Sequence, residues 1–219
     1  MKSILALSNY TLYLVNDIIQ YSSSKNQKNQ RINKEPINLL ELIEFCYDIL
    51  ESLLNSNKSK KENIESILDI DPEIYRIRIY SDEIRLKQIL LNLVSNSVKF
   101  CRSGMIFIRC KYNEENKNVI ITIKDTGIGI KKDDLNKLFN DFVMLEDGNN
   151  MNKHGSGLGL SICKTLTNLL EVDLKFNSTY GVGTEFDLII PISEILDETE
   201  LSSCNSEEYE GQIPQNISK

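Results

Sequence analysis

The segment DEIRLKQILLNLVSNSVKF, residues 82–100, carries the clearest pattern of the 219-residue chain and decides its fold class. Its apolar residues recur at helical spacing and share one face of a predicted helix: Leu86, Ile89, Leu90, Leu93 and Phe100. A second face carries Arg85, Gln88, Asn92, Asn96 and Lys99. Amide oxygens can ligate a hard cation, and lysine can neutralise phosphate oxygens. A plain amphipathic helix with a polar outer face is the alternative for this segment alone.

Elements around this helix alternate between the helical and the strand periodicity. Asn38 is placed to cap a helix that runs to about Asn55. Further helices are predicted at 3–22, 131–140 and 157–170, and strands at 64–70, 74–80, 104–112, 118–125, 172–178 and 184–190. The order of elements from residue 37 predicts an α/β sandwich with a mixed sheet and helices on one face.

The segment NVIITIKDTGIGI, residues 118–130, joins a strand to a glycine turn. Ile123 and Asp125 lie on the same side of the predicted strand, because strand side chains alternate. A core-facing Asp125 is buried and needs hydrogen-bond donors, and the exocyclic amine of a purine is a suitable one. Gly127 and Gly129 let the backbone approach a flat ring. An ordinary Asp-Thr-Gly turn is the alternative.

Two further glycine segments follow. In HGSGLGLSICKTLTNLL, residues 154–170, three glycines lead into a helix, whose first amides can form an anion site. The segment is neither a Walker A loop, since no Gly-Lys-Ser/Thr follows, nor a Rossmann fingerprint, since a polar loop precedes it. Flexible loop glycines are the alternative. GVGTEF, residues 181–186, is an ordinary turn when taken alone.

Composition excludes several classes of protein. The net charge is −7, with seven acidic residues in 194–219, so the remainder is nearly neutral and does not suit a nucleic-acid-coating surface. The single histidine, His154, excludes a His-rich metal site. Five cysteines without a CxxC pair predict reduced thiols and a cytoplasmic location. No apolar run approaches the ~18–20 residues of a membrane span.

The four segments, in this order, resemble the catalytic, ATP-binding domain of sensor histidine kinases, within the gyrase, histidine kinase and MutL ATPase superfamily. Residues 82–100 resemble the N box, DTGIGI the first glycine box, LFNDF the F box, HGSGLGLSI the second glycine box and GVGTEF the last. The resemblance covers about residues 37–193. It implies a Bergerat-type ATP-binding fold, an α/β (α+β) two-layer sandwich preceded by a helix of a dimerisation hairpin.

Roles implied by the resemblance apply to residues that match the motifs. Asn92, Asn96 and Lys99 form the expected catalytic set, in which Asn96 would ligate the Mg²⁺ that bridges the phosphates of ATP and Lys99 would contact phosphate. Asp125 would accept the adenine amino group. Phe139 and Phe142 would anchor the lid over the nucleotide. The other expected nucleotide-contacting residues are Gly127, Gly129, Gly155, Gly157, Leu158, Gly159 and Thr184.

Asn92 separates two activities within the superfamily. The gyrase-like and MutL-like enzymes that hydrolyse ATP resemble one another in placing Glu four residues before the metal-binding Asn. Asn92 occupies that position here and cannot act as a general base, which favours phosphoryl transfer to a protein side chain. The sequence also departs from the family, because the phosphoacceptor His box is absent, Ser81 replaces the usual Gly and Ser97 replaces the usual Ala after Asn96.

The sequence therefore predicts a partial sensor histidine kinase, a protein-histidine kinase that transfers the γ-phosphoryl of ATP to a histidine on a separate segment or chain. Its expected parts are a partial dimerisation helix at 1–24, a linker at 25–36, the ATPase domain at 37–193 and an acidic disordered tail at 194–219. Expected partners are ATP with Mg²⁺, a histidine-containing segment, a response regulator receiver and a second copy of the chain, but no nucleic acid. The alternatives are a non-catalytic ATP-sensing module and a gyrase- or chaperone-like ATPase.

Overall fold

The structure of the protein is a computed structural model that describes residues 32–56, 63–140 and 157–195. The strands in these ranges are β1 (Glu35–Asn38), β2 (Ile64–Ile70), β3 (Ile77–Ser81), β4 (Gly104–Asn113), β5 (Asn118–Asp125), β6 (Asp173–Thr179), β7 (Gly183–Pro191) and β8 (Glu194–Ile195). The helices are α1 (Leu39–Ser56), a 3₁₀ turn (Pro72–Arg76), α2 (Glu83–Phe100), α3 (Lys132–Leu135) and α4 (Gly159–Leu170).

Five strands form the main sheet, in the order β2-β4-β5-β7-β6. β2 and β4 are parallel, whereas the other neighbours are antiparallel, so the sheet is mixed as predicted. Side chains along β4, β5 and β7 alternate between buried and more exposed positions. Such alternation is typical of a sheet with one face against a core and the other towards solvent.

Three long helices form the second layer of the sandwich. α2 packs against α1 and α4 and contacts β5, so it lies at the centre of the helical layer. Four residues of its apolar stripe are fully buried, namely Leu86, Ile89, Leu90 and Leu93, whereas Phe100 is only partly buried. The predicted Asn38 cap of α1 is present, because the Leu40 amide donates to Asn38 Oδ1 at 3.1 Å. The fold class expected from the sequence is therefore confirmed.

A smaller sheet, in the order β1-β3-β8, lies outside the main one. It changes two boundaries that the sequence suggests. Glu35 and Pro36, assigned to the linker, pair with Ser81 and Tyr80 in β3, and β8 continues the fold two residues beyond 193. Strand pairing of this kind depends on partners far away in the chain, and a four-residue segment has too little alternation to reveal it.

Three predicted elements differ from the observed ones. The strand expected at 74–80 begins only at Ile77, because Pro72 starts a 3₁₀ turn that Asp71 caps. The helix expected at 131–140 is limited to α3, since the hydrogen bonds that follow span three residues. The helix expected from 157 begins at Gly159, because Gly157 has φ +69°, outside the right-handed helical region.

The described cysteines, Cys46, Cys101, Cys110 and Cys163, are all buried free thiols. Burial raises the pKa of Cys46 and of Cys110 to about 12, so these thiols are neutral at ordinary pH.

Among the described residues, no helix combines the length and the apolar character that crossing a membrane requires. The predicted N-terminal helix at 3–22 lies outside the described residues, as does the acidic tail after Ile195.

Candidate nucleotide site

The last turns of α2 present their polar face to a cleft between the helices and the end of the sheet. Asn96 is half-buried and lines this cleft, whereas Asn92, one turn earlier, is buried. Lys99 is not among the cleft-lining residues, and its ammonium lies 4.8 Å from the centre of the Phe100 ring. Partial burial lowers the pKa of Lys99 below its ordinary value.

Asp125 stands at the end of β5 with its carboxylate in the cleft. The residue is only 5% exposed, and Val119, Ile121 and Ile123 on the same side of the strand are fully buried. Its Oδ1 accepts a hydrogen bond from the Gly127 amide at 2.8 Å. A buried carboxylate is stable only when such donors face it.

The glycines after Asp125 allow close packing of the turn. A Cβ at Gly127 would lie 2.5 Å from the Phe100 carbonyl oxygen, and one at Gly129 would lie 2.0 Å from the Thr179 carbonyl oxygen. Gly129 also has φ +64°, a conformation that favours glycine. Gly129 lines the cleft, whereas Gly127 is not one of the lining residues and contacts the cleft-lining Asp125 through its amide.

Thr184 on β7 is directly opposite Asp125 on β5 and also lines the cleft. Its hydroxyl is 2.9 Å from Ser178 Oγ, and the Ile130 amide donates to that same Ser178 oxygen at 2.9 Å. The strand β7 is thus tied through Ser178 to the glycine turn after Asp125. This link holds the two sides of the cleft floor together.

The second glycine segment brings the start of α4 against α2. A Cβ at Gly159 would lie 3.1 Å from Asn92 Oδ1, so the Asn92 amide rests directly on the first turn of α4. Leu158 precedes the helix as its N-cap residue and offers no side-chain cap, and Leu160 lines the cleft. The expected contributors Phe142 and Gly155 lie outside the described residues, as does His154.

The cleft encloses about 690 Å³, including space open to solvent. Of the sequence-predicted residues it brings together Asn96, Asp125, Gly129 and Thr184 along its wall, with Asn92 and Gly159 in contact beside it.

Sequence reasoning missed several residues of the cleft. Ser97 donates to Asp125 from the neighbouring helix, although the sequence suggested only a small change from Ala. Lys131 and Tyr180 meet at the rim, where the ammonium is 5.4 Å from the ring centre. Phe100 lines the cleft although its helical position predicts a core residue. The sequence offered one signal for these residues, because Tyr180 directly precedes the last glycine box. In the structure Tyr180 is half-exposed.

Comparison with known proteins identifies the class that this fold and cleft define. Residues 81–194 match the family described as "Histidine kinase-, DNA gyrase B-, and HSP90-like ATPase". Because the match spans more than half of the chain, the chain belongs to this ATPase family.

Similar proteins indicate a narrower class within this ATPase family. It is 38% identical over 221 residues to hybrid signal transduction histidine kinase B of Dictyostelium discoideum, covering 96% of this chain and 11% of that protein. It is 35% identical over 189 residues to the autoinducer 2 sensor kinase/phosphatase LuxQ of Vibrio harveyi, covering 84% of this chain and 21% of that protein. The chain therefore spans only a small part of the length of these curated relatives.

Solved structures agree with the fold. Full-length ShkA in complex with AMPPNP has a TM-score of 0.68 and 25% identity, covering 87% of this chain and 38% of that one. The nucleotide-free catalytic domain of the histidine kinase ThkA has a TM-score of 0.59 and 25% identity, covering 73% of this chain and 97% of that one. The described residues thus form the ATP-binding catalytic domain of a sensor histidine kinase.

Proposed function

We propose that this chain binds ATP·Mg²⁺ in the cleft and transfers the γ-phosphoryl to a histidine on a separate segment or chain, within two-component signalling. The observation that carries the proposal is the convergence of three distant segments. The last turns of α2, the Asp125 turn and the start of α4 meet at one cleft, and Asn92 touches Gly159 across its side.

The end of the cleft at Asp125 suits the adenine base. A carboxylate fixed by the Gly127 amide accepts hydrogen bonds and fits an exocyclic amine. Thr184 lies opposite it on β7, and Gly129 lines the same end without a side chain. These contacts favour an amino-bearing purine over a base that carries a carbonyl group there.

The end of the cleft at Asn96 suits the phosphates. Among the described residues, no group of three or more His, Cys, Asp or Glu side chains could hold a metal ion. Mg²⁺ is commonly held by one or two protein ligands with substrate phosphates and water completing the octahedron. The Asn96 carboxamide oxygen fits the role of such a ligand, and Lys99 lies one turn further along α2 to neutralise phosphate charge.

The amides at the start of α4 add positive character beside Asn92. Helix N-termini favour anions because their first N–H groups point outward along the axis. Gly157, Leu158 and Gly159 lie at this end of the helix, and we assign them to phosphate binding together with Gly155, whereas we assign Phe142 to anchoring the lid. Asn92 lacks a carboxylate to activate water, so transfer to a side chain is favoured over hydrolysis.

The acceptor histidine must come from elsewhere, since His154, in the second glycine box, is the single histidine of the 219 residues. We propose that residues 1–24 contribute a helix to a dimerisation hairpin, that 25–34 link it to the domain and that the tail after Ile195 is an acidic appendage. A homodimer through that helix and a downstream receiver domain complete the proposed partners. The curated relatives are much longer than this chain, which leaves room for such parts.

Phosphotransfer can be tested by mixing the chain with a separate histidine-bearing hairpin and γ-labelled ATP. Label that appears on the hairpin and is stable to base but labile to acid supports the proposal. An Asn96→Ala chain serves as the control and should give no label. Nucleotide binding without transfer would favour the sensing module, whereas steady phosphate release without any hairpin would favour the hydrolytic ATPase.

A further inference from the structure

A buried hydroxyl touches the carboxylate at the base end of the cleft. Ser97 Oγ lies 3.2 Å from Asp125 Oδ2, across 28 residues of sequence, and both residues line the cleft. Ser97 is 2% exposed and sits in the interior of α2, immediately after Asn96. Its position is therefore fixed by a long, well-packed helix.

The direction of this hydrogen bond follows from the chemistry of the two groups. An ionised carboxylate only accepts, so the serine hydroxyl must donate its proton to Asp125. The two lone pairs of Ser97 Oγ then remain acceptors within the cleft wall. Asp125 and Ser97 together form a surface that accepts hydrogen bonds.

The same contact holds the carboxylate in one orientation. The Gly127 amide holds Oδ1 at 2.8 Å, and Ser97 holds Oδ2 from the opposite element. With both oxygens tied, the plane of the carboxylate is set before any ligand arrives. A pre-set acceptor loses less conformational freedom on binding and discriminates better between donors and acceptors.

We propose that Ser97 is a positioning residue that sets the base selectivity of the cleft by orienting Asp125 and by extending its accepting surface. The inference rests on the proposed ATP binding and adds the residue that distinguishes an amino-purine from a 6-oxo-purine. A carbonyl at that position of the base would face two acceptors and leave them without a proton to accept. Removing the Ser97 hydroxyl should loosen the orientation of Asp125 and reduce the accepting surface.

The test compares the dissociation constants of ATP and inosine triphosphate for the whole chain and for Ser97→Ala. We expect Ser97→Ala to weaken ATP binding by roughly tenfold, the scale of one hydrogen bond to a charged group, and inosine triphosphate binding by less than threefold. The preference of Ser97→Ala for ATP over inosine triphosphate should therefore be smaller than that of the unaltered chain. Equal weakening of both nucleotides, or no change in their ratio, would overturn the inference.

Two further variants separate positioning from general damage. Ser95→Ala removes a hydroxyl from the same helix, where it donates to the Asn92 carbonyl, and should leave the ratio unchanged. In an Asp125→Asn background, Ser97→Ala should no longer alter the ratio, because the two residues act as one unit.

A folding defect, a failure of the proposed function and a failure of the positioning role can be told apart. If Ser97→Ala fails to fold by circular dichroism, Ser97→Cys, a near-isostere with a weak donor, is measured against the same criterion. If the unaltered chain binds neither nucleotide, the proposed function fails. If it binds ATP and the ratio is insensitive to Ser97, the positioning role alone is wrong.

Discussion

Gly159 begins α4 directly against the side chain of Asn92 on α2, where an added Cβ would stand 3.1 Å from Asn92 Oδ1. The two residues lie 67 positions apart in sequence. Their contact joins the helix that carries Asn96 to the helix start that we assign to phosphate binding.

Gly159→Ala should change stability little in the unaltered chain, because the better helix propensity of Ala is offset by pressure on Asn92. In an Asn92→Ala background the pressure is absent, and the same substitution should raise the free energy of unfolding by about 0.5 kcal/mol. Urea denaturation of the four chains measures both effects. Equal effects of Gly159→Ala in the two backgrounds would show that the contact is not strained.

Asn96→Ala should remove the Mg²⁺-dependent part of nucleotide binding. We expect the dissociation constant of ATP measured with Mg²⁺ to rise at least about tenfold, and the value measured in EDTA to change little. Titration with a fluorescent ATP analogue reports both values. Ser95→Ala on the same helix is the matched control, and a loss of similar size in EDTA would place the defect outside metal binding.

Asp125→Asn should weaken ATP more than a purine nucleoside triphosphate that lacks the amino group. The amide keeps an acceptor oxygen towards the Gly127 amide but replaces the other oxygen with a donor, which repels the adenine amine. We expect a loss of about 2 kcal/mol in the binding free energy of ATP, the scale of a hydrogen bond to a charged group. Calorimetric titration with both nucleotides measures the difference, and equal losses would contradict the assigned role.

Gly129→Ala should be far more destabilising than Gly181→Ala, although both glycines have positive φ, at +64° and +81°. A Cβ at Gly129 would collide with the Thr179 carbonyl at 2.0 Å, whereas at Gly181 nothing lies within 4 Å. We expect losses of about 3 kcal/mol or more at Gly129 and about 1 kcal/mol at Gly181. Chemical denaturation separates the clash from the shared backbone strain, and similar losses would refute the packing of this turn.

Alkaline pH should destabilise the domain through its buried thiols. Cys46 and Cys110 have folded pKa values of about 12, above the ordinary value of 9.0. Below pH 9 both states bind the proton and stability is unaffected, but from pH 9 towards 12 the unfolded thiols ionise first. Each thiol then lowers the free energy of unfolding by about 1.4 kcal/mol per pH unit.

Denaturation curves at pH 8, 9 and 10 for the chain and for Cys46→Ala test this dependence. The variant starts less stable because of its cavity, but its stability should fall less steeply with pH. Parallel slopes would show that Cys46 ionises equally well in the folded state.

Local patterns carried much of the fold. The helical stripe of α2, the alternation in β4 and β5 and the Asn38 cap were all predictable, because each depends on residues within one or two turns or on neighbouring strand positions. The element boundaries that differ from the prediction have two causes. Glu35 pairs with Ser81, a partner far away in the chain, and Pro72 starts a 3₁₀ turn that periodicity does not reveal.

The sequence by itself determined which chemical groups the domain carries: two amides and a lysine on one helix, a carboxylate at the core side of a strand end, and glycines where backbone must come close. Only the tertiary structure decided which of them meet. Ser97 reaches Asp125 and Asn92 reaches Gly159 because α2 packs at once against β5 and α4. Helical periodicity assigns a side chain to a face, but the neighbour on that face is chosen by the burial of the whole core.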